Sequence, residues 1–232
     1  MTSADKVRKI FQIAKDEKRS YVLENEVKDM LKEYNVDVTK EKVCKTVEEA
    51  LAFTKEIGYP IVLKIVSPDV VHKSDSGGVK VGIKDDDDLK KEFQLMLDNY
   101  HKQFQAESLK GISVQEMVAG QEVIIGAVKD AQFGHMLMVG TGGVFVEIFK
   151  DVSYRLAPID KSEAADMLKE LKGYKLLTGF RGSKPVNIDA LCESIANVSK
   201  ALSELPEIKE MDLNPILVSD KRAVVVDGRI FI

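Results

Sequence analysis

Residues 60–84 read PIVLKIVSPDVVHKSDSGGVKVGIK: an apolar strand interrupted by one lysine, a polar loop with a histidine and paired glycines, then a second strand. Lys64 separates Ile61-Val62-Leu63 from Ile65-Val66. A lysine in a buried strand loses its hydration and must meet an anion or a carboxylate, and a nucleotide phosphate is such an anion. The other reading is a sheet-edge lysine with its ammonium in water. In the loop, Ser76-Gly77-Gly78 lets backbone N–H groups come close to phosphate oxygens, because glycine has no Cβ and reaches left-handed conformations cheaply. The same pair also suits an ordinary turn. His72 shares this loop, either as a solvated side chain or as a reactive imidazole.

A chain of 232 residues can bury roughly 70% of the surface that its unfolded form exposes, so it needs no disulfide or metal staple. Cys44 and Cys192 lie far apart and form no Cys-x-x-Cys pair, which points to a reducing, cytoplasmic setting. The formal net charge of −4 and the lack of a basic stripe argue against sequence-independent nucleic-acid binding, which needs concentrated positive charge. No apolar run approaches the ~20 residues of a membrane span, and the start, MTSADKVRKIFQIAKDEKR, is too charged for a signal peptide.

Hydrophobic periodicity predicts helices over 4–18 and 24–34, short strands near 36–38 and 42–44, and a helix opened by the capping box Thr46-Val47-Glu48-Glu49 and stopped at Gly58. Strands at 61–66 and 79–83 flank the histidine loop, and the aspartates at 85–88 cap a helix at about 87–106. A second unit opens with GISVQEMVAGQEVIIGAVKD, two β-rich runs hinged at Ala119-Gly120. HMLMV and VFVEIF are expected as strands around Gly140-Thr141-Gly142-Gly143, followed by helices at 161–171, behind Asp160 and Glu163, and at 188–204. The expected architecture is α/β, with subdomains at 1–111 and 112–232 facing a common cleft.

The chain ends in EIKEMDLNPILVSDKRAVVVDGRIFI, two strands around Ser219-Asp220-Lys221-Arg222. Asp212 and Asn214 are two apart and share a strand face, and Asp227 on the returning strand opposes them if the register permits. Such oxygen ligands suit Mg²⁺, which takes one or two carboxylates with substrate phosphates and water. A polar strand end with Asn-Pro and Asp-Gly turns explains the same residues. Neither GxxxxGK[ST] nor a strand-to-helix GxGxxG occurs, so a bound nucleotide needs another scaffold.

The order of strand lysine, glycine-rich loop, hinge and late acidic/Asn pair resembles the ATP-grasp fold. More closely, SPDVVHKSDSGGVKVGI, GTGGVFVEIFKDVSYRLAP, LLTGFRGSKPVNIDAL and EMDLNPILV resemble the β subunits of ADP-forming acetyl-CoA synthetases, from about residue 23 to the C-terminus. Within GFRGSKPV the chain is one residue longer than the family pattern, at none of the implied ligands. The resemblance implies two α/β subdomains enclosing a nucleotide cleft, with ADP/ATP and Mg²⁺ as cofactors. It implies that Lys64, with Gly77 and Gly78, meets the phosphates, that Glu116 and Val118 offer hinge backbone groups to adenine, and that Glu122 binds ribose. Asn214 and Asp227 would hold Mg²⁺, and Asp212 would orient a phosphohistidine. His72 would relay phosphate alongside a phosphohistidine on a separate α subunit. That partner would carry the CoA-binding and acyl-transfer domains in an α2β2 heterotetramer. A stand-alone ATP-grasp carboxylate ligase and a non-catalytic nucleotide sensor are the alternatives.

Overall fold

A computed structural model describes residues 1–70, 77–180, 182 and 184–232, with the backbone alone at 144, 145 and 147. The chain divides into two units, Met1–Val38 with Ala119–Ile232, and Thr39–Val118.

The chain starts in the larger unit with helix α1 (Ser3–Asp16), strand β1 (Tyr21–Val22) and helix α2 (Glu24–Glu33). The Thr2 side chain accepts from the Asp5 N–H while Asp5 reaches back to the Thr2 N–H, a capping box that satisfies donors the helix leaves open. Val7, Phe11 and Ala14 lie on one face of α1 at helical spacing and are buried.

The smaller unit holds β2 (Glu41–Cys44), α3 (Val47–Ile57), β3 (Ile61–Val66), β4 (Val79–Ile83), α4 (Asp86–Gln103) and β5 (Gly111–Glu116). Its sheet runs β2-β5-β3-β4, with every neighbour antiparallel. Ile61, Leu63 and Ile65 alternate onto the face that packs, with Ile112 and Val114, against Leu89, Phe93 and Met96 of α4. Asp85 caps α4 by accepting from the N–H groups of Asp87 and Asp88, the capping role expected of the acidic run.

The rest of the larger unit consists of β6 (Gln121–Asp130), β7 (Gly134–Thr141), α5 (Val144–Phe149), β8 (Val152–Leu156), α6 (Lys161–Glu170), α7 (Tyr174–Leu177), α8 (Ile188–Glu204), β9 (Glu210–Val218), β10 (Ala223–Val225) and β11 (Gly228–Phe231). Its sheet runs β1-β11-β9-β6-β7-β8, with β10 also on β9. Ile125, Ala127, Leu137, Val139, Met211 and Leu213 join Leu191, Ile195, Val198 and Leu202 of α8 in one core. Alternation along β9 leaves Asp212 and Asn214 on the opposite, exposed face.

Four sequence expectations change. VFVEIF is the short helix α5 and not a strand: Gly143, at φ +63°, turns the chain in, and Lys150 ends the helix in the left-handed region. Strand preference is context-dependent, and VSYRL takes the sheet position beside β7 instead. The division at 111/112 shifts to 118/119 because β5 pairs with both β2 and β3. The first 38 residues join the larger unit, since β1 pairs with β11 through Tyr21↔Phe231 and Val22↔Ile230. Asp227 lies between β10 and β11 and not on a single returning strand.

Candidate active site

Lys64 is only 4% exposed. It lies on β3, an interior strand, paired with Val79 on one side and Ser113 on the other, so it is not an edge lysine. Its side chain alternates with Leu63 and Ile65 and leaves the strand on the face away from the α4 core. At the end of the facing hairpin, Gly77 is at φ +67° and the Gly78 carbonyl accepts from the Ile65 N–H at 2.8 Å. The left-handed conformation at Gly77 is one that a side chain would disfavour. His72 and Ser76 lie outside the described residues.

Glu116 ends β5, and its N–H donates to the Lys40 carbonyl at 2.9 Å while its carboxylate accepts from the Lys40 N–H at 2.9 Å. Val118, half-buried, ends the smaller unit. Glu122 is exposed near the start of β6, and its carbonyl accepts from the Gly142 N–H at 3.0 Å. A Cβ on Gly142 would come within 2.6 Å of the Glu122 Cβ, and one on Gly143 within 3.0 Å of its Oε2. Gly142 therefore walls Glu122 at a distance that no side chain could share, and Gly143, at φ +63°, closes the turn beside the carboxylate.

The third cluster is set by register. Asp212 pairs with Arg229 across β9 and β11, Gly228 pairs with Leu213, and the Asn214 N–H donates to the Asp227 carbonyl at 3.1 Å. Paired positions share a face, which puts Asp212, Asn214, Asp227 and Arg229 together. On the other side of β9, Asp212 pairs with Gly126, and the pairing with β6 slips between Val123 and Ile125, beside Asn214 and Pro215. Asp212 is solvent-accessible, yet protein around it removes enough hydration to push its carboxyl pKa up. Arg229 pulls it back, and Asp227 and Glu210 add to the rise. Arg229 escaped the sequence reading, although its place two residues after Asp227 is the signal that would have found it.

Asn214 and Asp227 fit a magnesium ion of the kind that completes its shell with phosphates and water. Among the described residues, no group of three or more His, Cys, Asp or Glu side chains is placed to hold a metal by itself. One carboxylate and one amide on adjoining, accessible positions match the smaller demand of Mg²⁺ shared with a substrate.

Residues 13–232 match the model of the ATP-grasp domain, which makes the class of this protein that of the ATP-grasp proteins. The subunit beta of acetate–CoA ligase [ADP-forming] I from Pyrococcus furiosus is 46% identical over the full length of both chains. The 4-hydroxybutyrate–CoA ligase [ADP-forming] of Nitrosopumilus maritimus is 44% identical over 93% of this chain but only 31% of its own length. Among solved structures, an acetyl-coenzyme A synthetase of Ca. Korarchaeum cryptofilum superposes with a TM-score of 0.86 and 42% identity over 97% of this chain and 99% of that one. That structure holds coenzyme A and Mg-AMPPCP, with a phosphohistidine segment pointing towards the nucleotide-binding site. The chain belongs to the ATP-grasp family and, within it, to the ADP-forming acetate–CoA ligase β subunits.

Proposed function

We infer that this chain is the nucleotide-binding subunit of an ADP-forming acyl-CoA ligase, acting in acyl-CoA + ADP + phosphate ⇌ carboxylate + CoA + ATP. The observation that carries the reading is that antiparallel register brings exposed Asp212 and Asn214 on β9 beside half-buried Asp227, just before β11. Their chain matches the Pyrococcus furiosus β subunit from end to end. The match to less than a third of the Nitrosopumilus maritimus ligase supports a division of labour. In this reading a separate α subunit carries the CoA-binding and acyl-transfer domains, in an α2β2 assembly.

Phosphoryl transfer asks a protein chiefly for in-line positioning and neutralisation of charge. Lys64 leaves its hydration in β3 to meet the phosphates, and the backbone at Gly77 and Gly78 comes close to them. Adenine is held by backbone groups of Glu116 and Val118. The Glu116 N–H donates to Lys40, and its carbonyl is assigned to adenine. The exposed carboxylate of Glu122 accepts from the ribose. Asn214 and Asp227 would hold Mg²⁺, which when bound neutralises phosphate charge. Asp212 orients the imidazole that delivers the phosphoryl group and stabilises its positive charge as a carboxylate stabilises histidines elsewhere. His72 is assigned the relay from the family resemblance.

Asp212→Asn separates positioning from binding, since it keeps the shape and removes the charge. In the complex with the α subunit, phosphoryl transfer is expected to slow by at least ~10²-fold, the scale of other lost electrostatic contacts at transition states. Mg-ADP affinity, measured by calorimetry, should change little. Normal transfer at saturating nucleotide with a large loss of Mg-ADP affinity would instead make Asp212 a metal ligand.

A further inference from the structure

Asp151 is a carboxylate that the reading above does not use, although it is only 3% exposed. It precedes β8 and is the centre of a closed set of hydrogen bonds. Its Oδ1 accepts from the Lys172 N–H at 2.6 Å, and its Oδ2 accepts from the Gly173 N–H and the Thr141 hydroxyl, both at 2.8 Å. Its carbonyl also accepts from the Thr141 N–H at 3.3 Å. Burial works against the charged form, but the donors from Gly173, Thr141 and Lys172 outweigh it and hold the carboxyl below the usual range.

The packing around this carboxylate admits no spare atoms. A Cβ on Gly173 would lie 2.6 Å from the Thr141 Cγ2 and 3.0 Å from the Asp151 Oδ2, and one on Gly140 would lie 3.0 Å from the Asp151 carbonyl oxygen. Thr141 is thus gripped through its N–H, its hydroxyl and its methyl. The next residue, Gly142, donates to the Glu122 carbonyl and lies against its side chain. One covalent step separates the residue gripped by Asp151 from the residue that walls Glu122.

We propose that Asp151 is a positioning residue for Glu122, acting through the end of β7 and the residues that follow it, 140–143, to fix the carboxylate that meets the nucleotide's ribose. This rests on the ribose assignment of Glu122 under the proposed function. A carboxylate on an exposed strand end has rotamer freedom that weakens its hydrogen bonds to a ligand, and a rigid neighbouring wall removes that freedom. Asp151 supplies the rigidity from a buried position behind that wall.

The test compares binding of Mg²⁺ complexes of ADP, 2′-deoxy-ADP and 3′-deoxy-ADP by calorimetry, using the full chain. The native protein is expected to prefer ADP by ~10-fold or more over the analogue lacking the hydroxyl that Glu122 meets, the scale of one hydrogen bond to a charged group. Glu122→Ala should abolish that preference. Asp151→Asn should remove at least half of it on a logarithmic scale. Thr141→Val, which keeps the shape and removes only the hydroxyl, should act in the same direction and decides the matter if Asp151→Asn does not fold. A general loss of structure would weaken all three ligands equally and leave their ratio unmoved. Folded Asp151→Asn and Thr141→Val proteins that keep the full preference, while Glu122→Ala loses it, overturn the positioning role alone. Retention of the preference in Glu122→Ala overturns the ribose assignment and the positioning role with it.

Discussion

Asp151 also makes the clearest case for stability at the scale of one residue. An asparagine in its place offers one acceptor oxygen to three donors and turns an amide N–H₂ towards some of them. Each buried donor left without a partner costs ~1–3 kcal/mol, so Asp151→Asn should lower Tm at pH 7 by roughly 3–10 °C. The sign of the pH dependence follows from the depressed carboxyl pKa. The carboxylate's stabilisation is complete above the unfolded value, about 3.9, and is lost as pH falls through the lower folded value. Melting curves at pH 7, 5 and 3 should therefore show the gap between native protein and variant holding at pH 5 and narrowing at pH 3. A gap of constant width would contradict an ionised Asp151. Asp151 lies in one of the motifs, but its role was not legible there, because its donors lie 10 and 21–22 positions away. The shared face of Asp212 and Asn214 was legible because a period of two is local, and the edge-strand alternative for Lys64 fell only when β3 proved to be an interior strand.

At the scale of elements, legibility followed the strength of the flanking signals. The strands at 61–66 and 79–83 and the helix at 188–204 match the structure end for end, each bounded by turn residues or a cap. VFVEIF failed because its β-branched and aromatic residues carry a preference that Gly143 and Lys150 override. The placement of α1 was the larger surprise. Its partners are α2 and the strand β1, and β1 finds β11 at the far end of the chain. Phe11, 2% exposed in that core, offers the test. Phe11→Ala should cost ~3–5 kcal/mol by transfer and cavity terms together. Hydrogen exchange should show the loss first in β9 and β11, with β3 and β5 less affected. Loss of protection confined to β3 and β5 would contradict the assignment of the first 38 residues to the larger unit.

At the scale of the molecule, what was legible was the order of motifs along the chain, and what was hidden was the long-range pairing that moves the boundary to 118/119. Among the described residues, no helix is long and apolar enough to cross a membrane. The chain spans the whole of a β subunit and less than a third of a longer ligase, which favours completion of its chemistry by a second chain. The most direct measurement is ATP formation from acetyl-CoA, ADP and phosphate by the purified chain, first alone and then with an α subunit carrying the CoA-binding domains. The expected result is Mg-ADP binding without ATP formation by the chain alone, and turnover once the partner is added. Full turnover by the chain alone would contradict the two-subunit reading and make this a self-sufficient ligase.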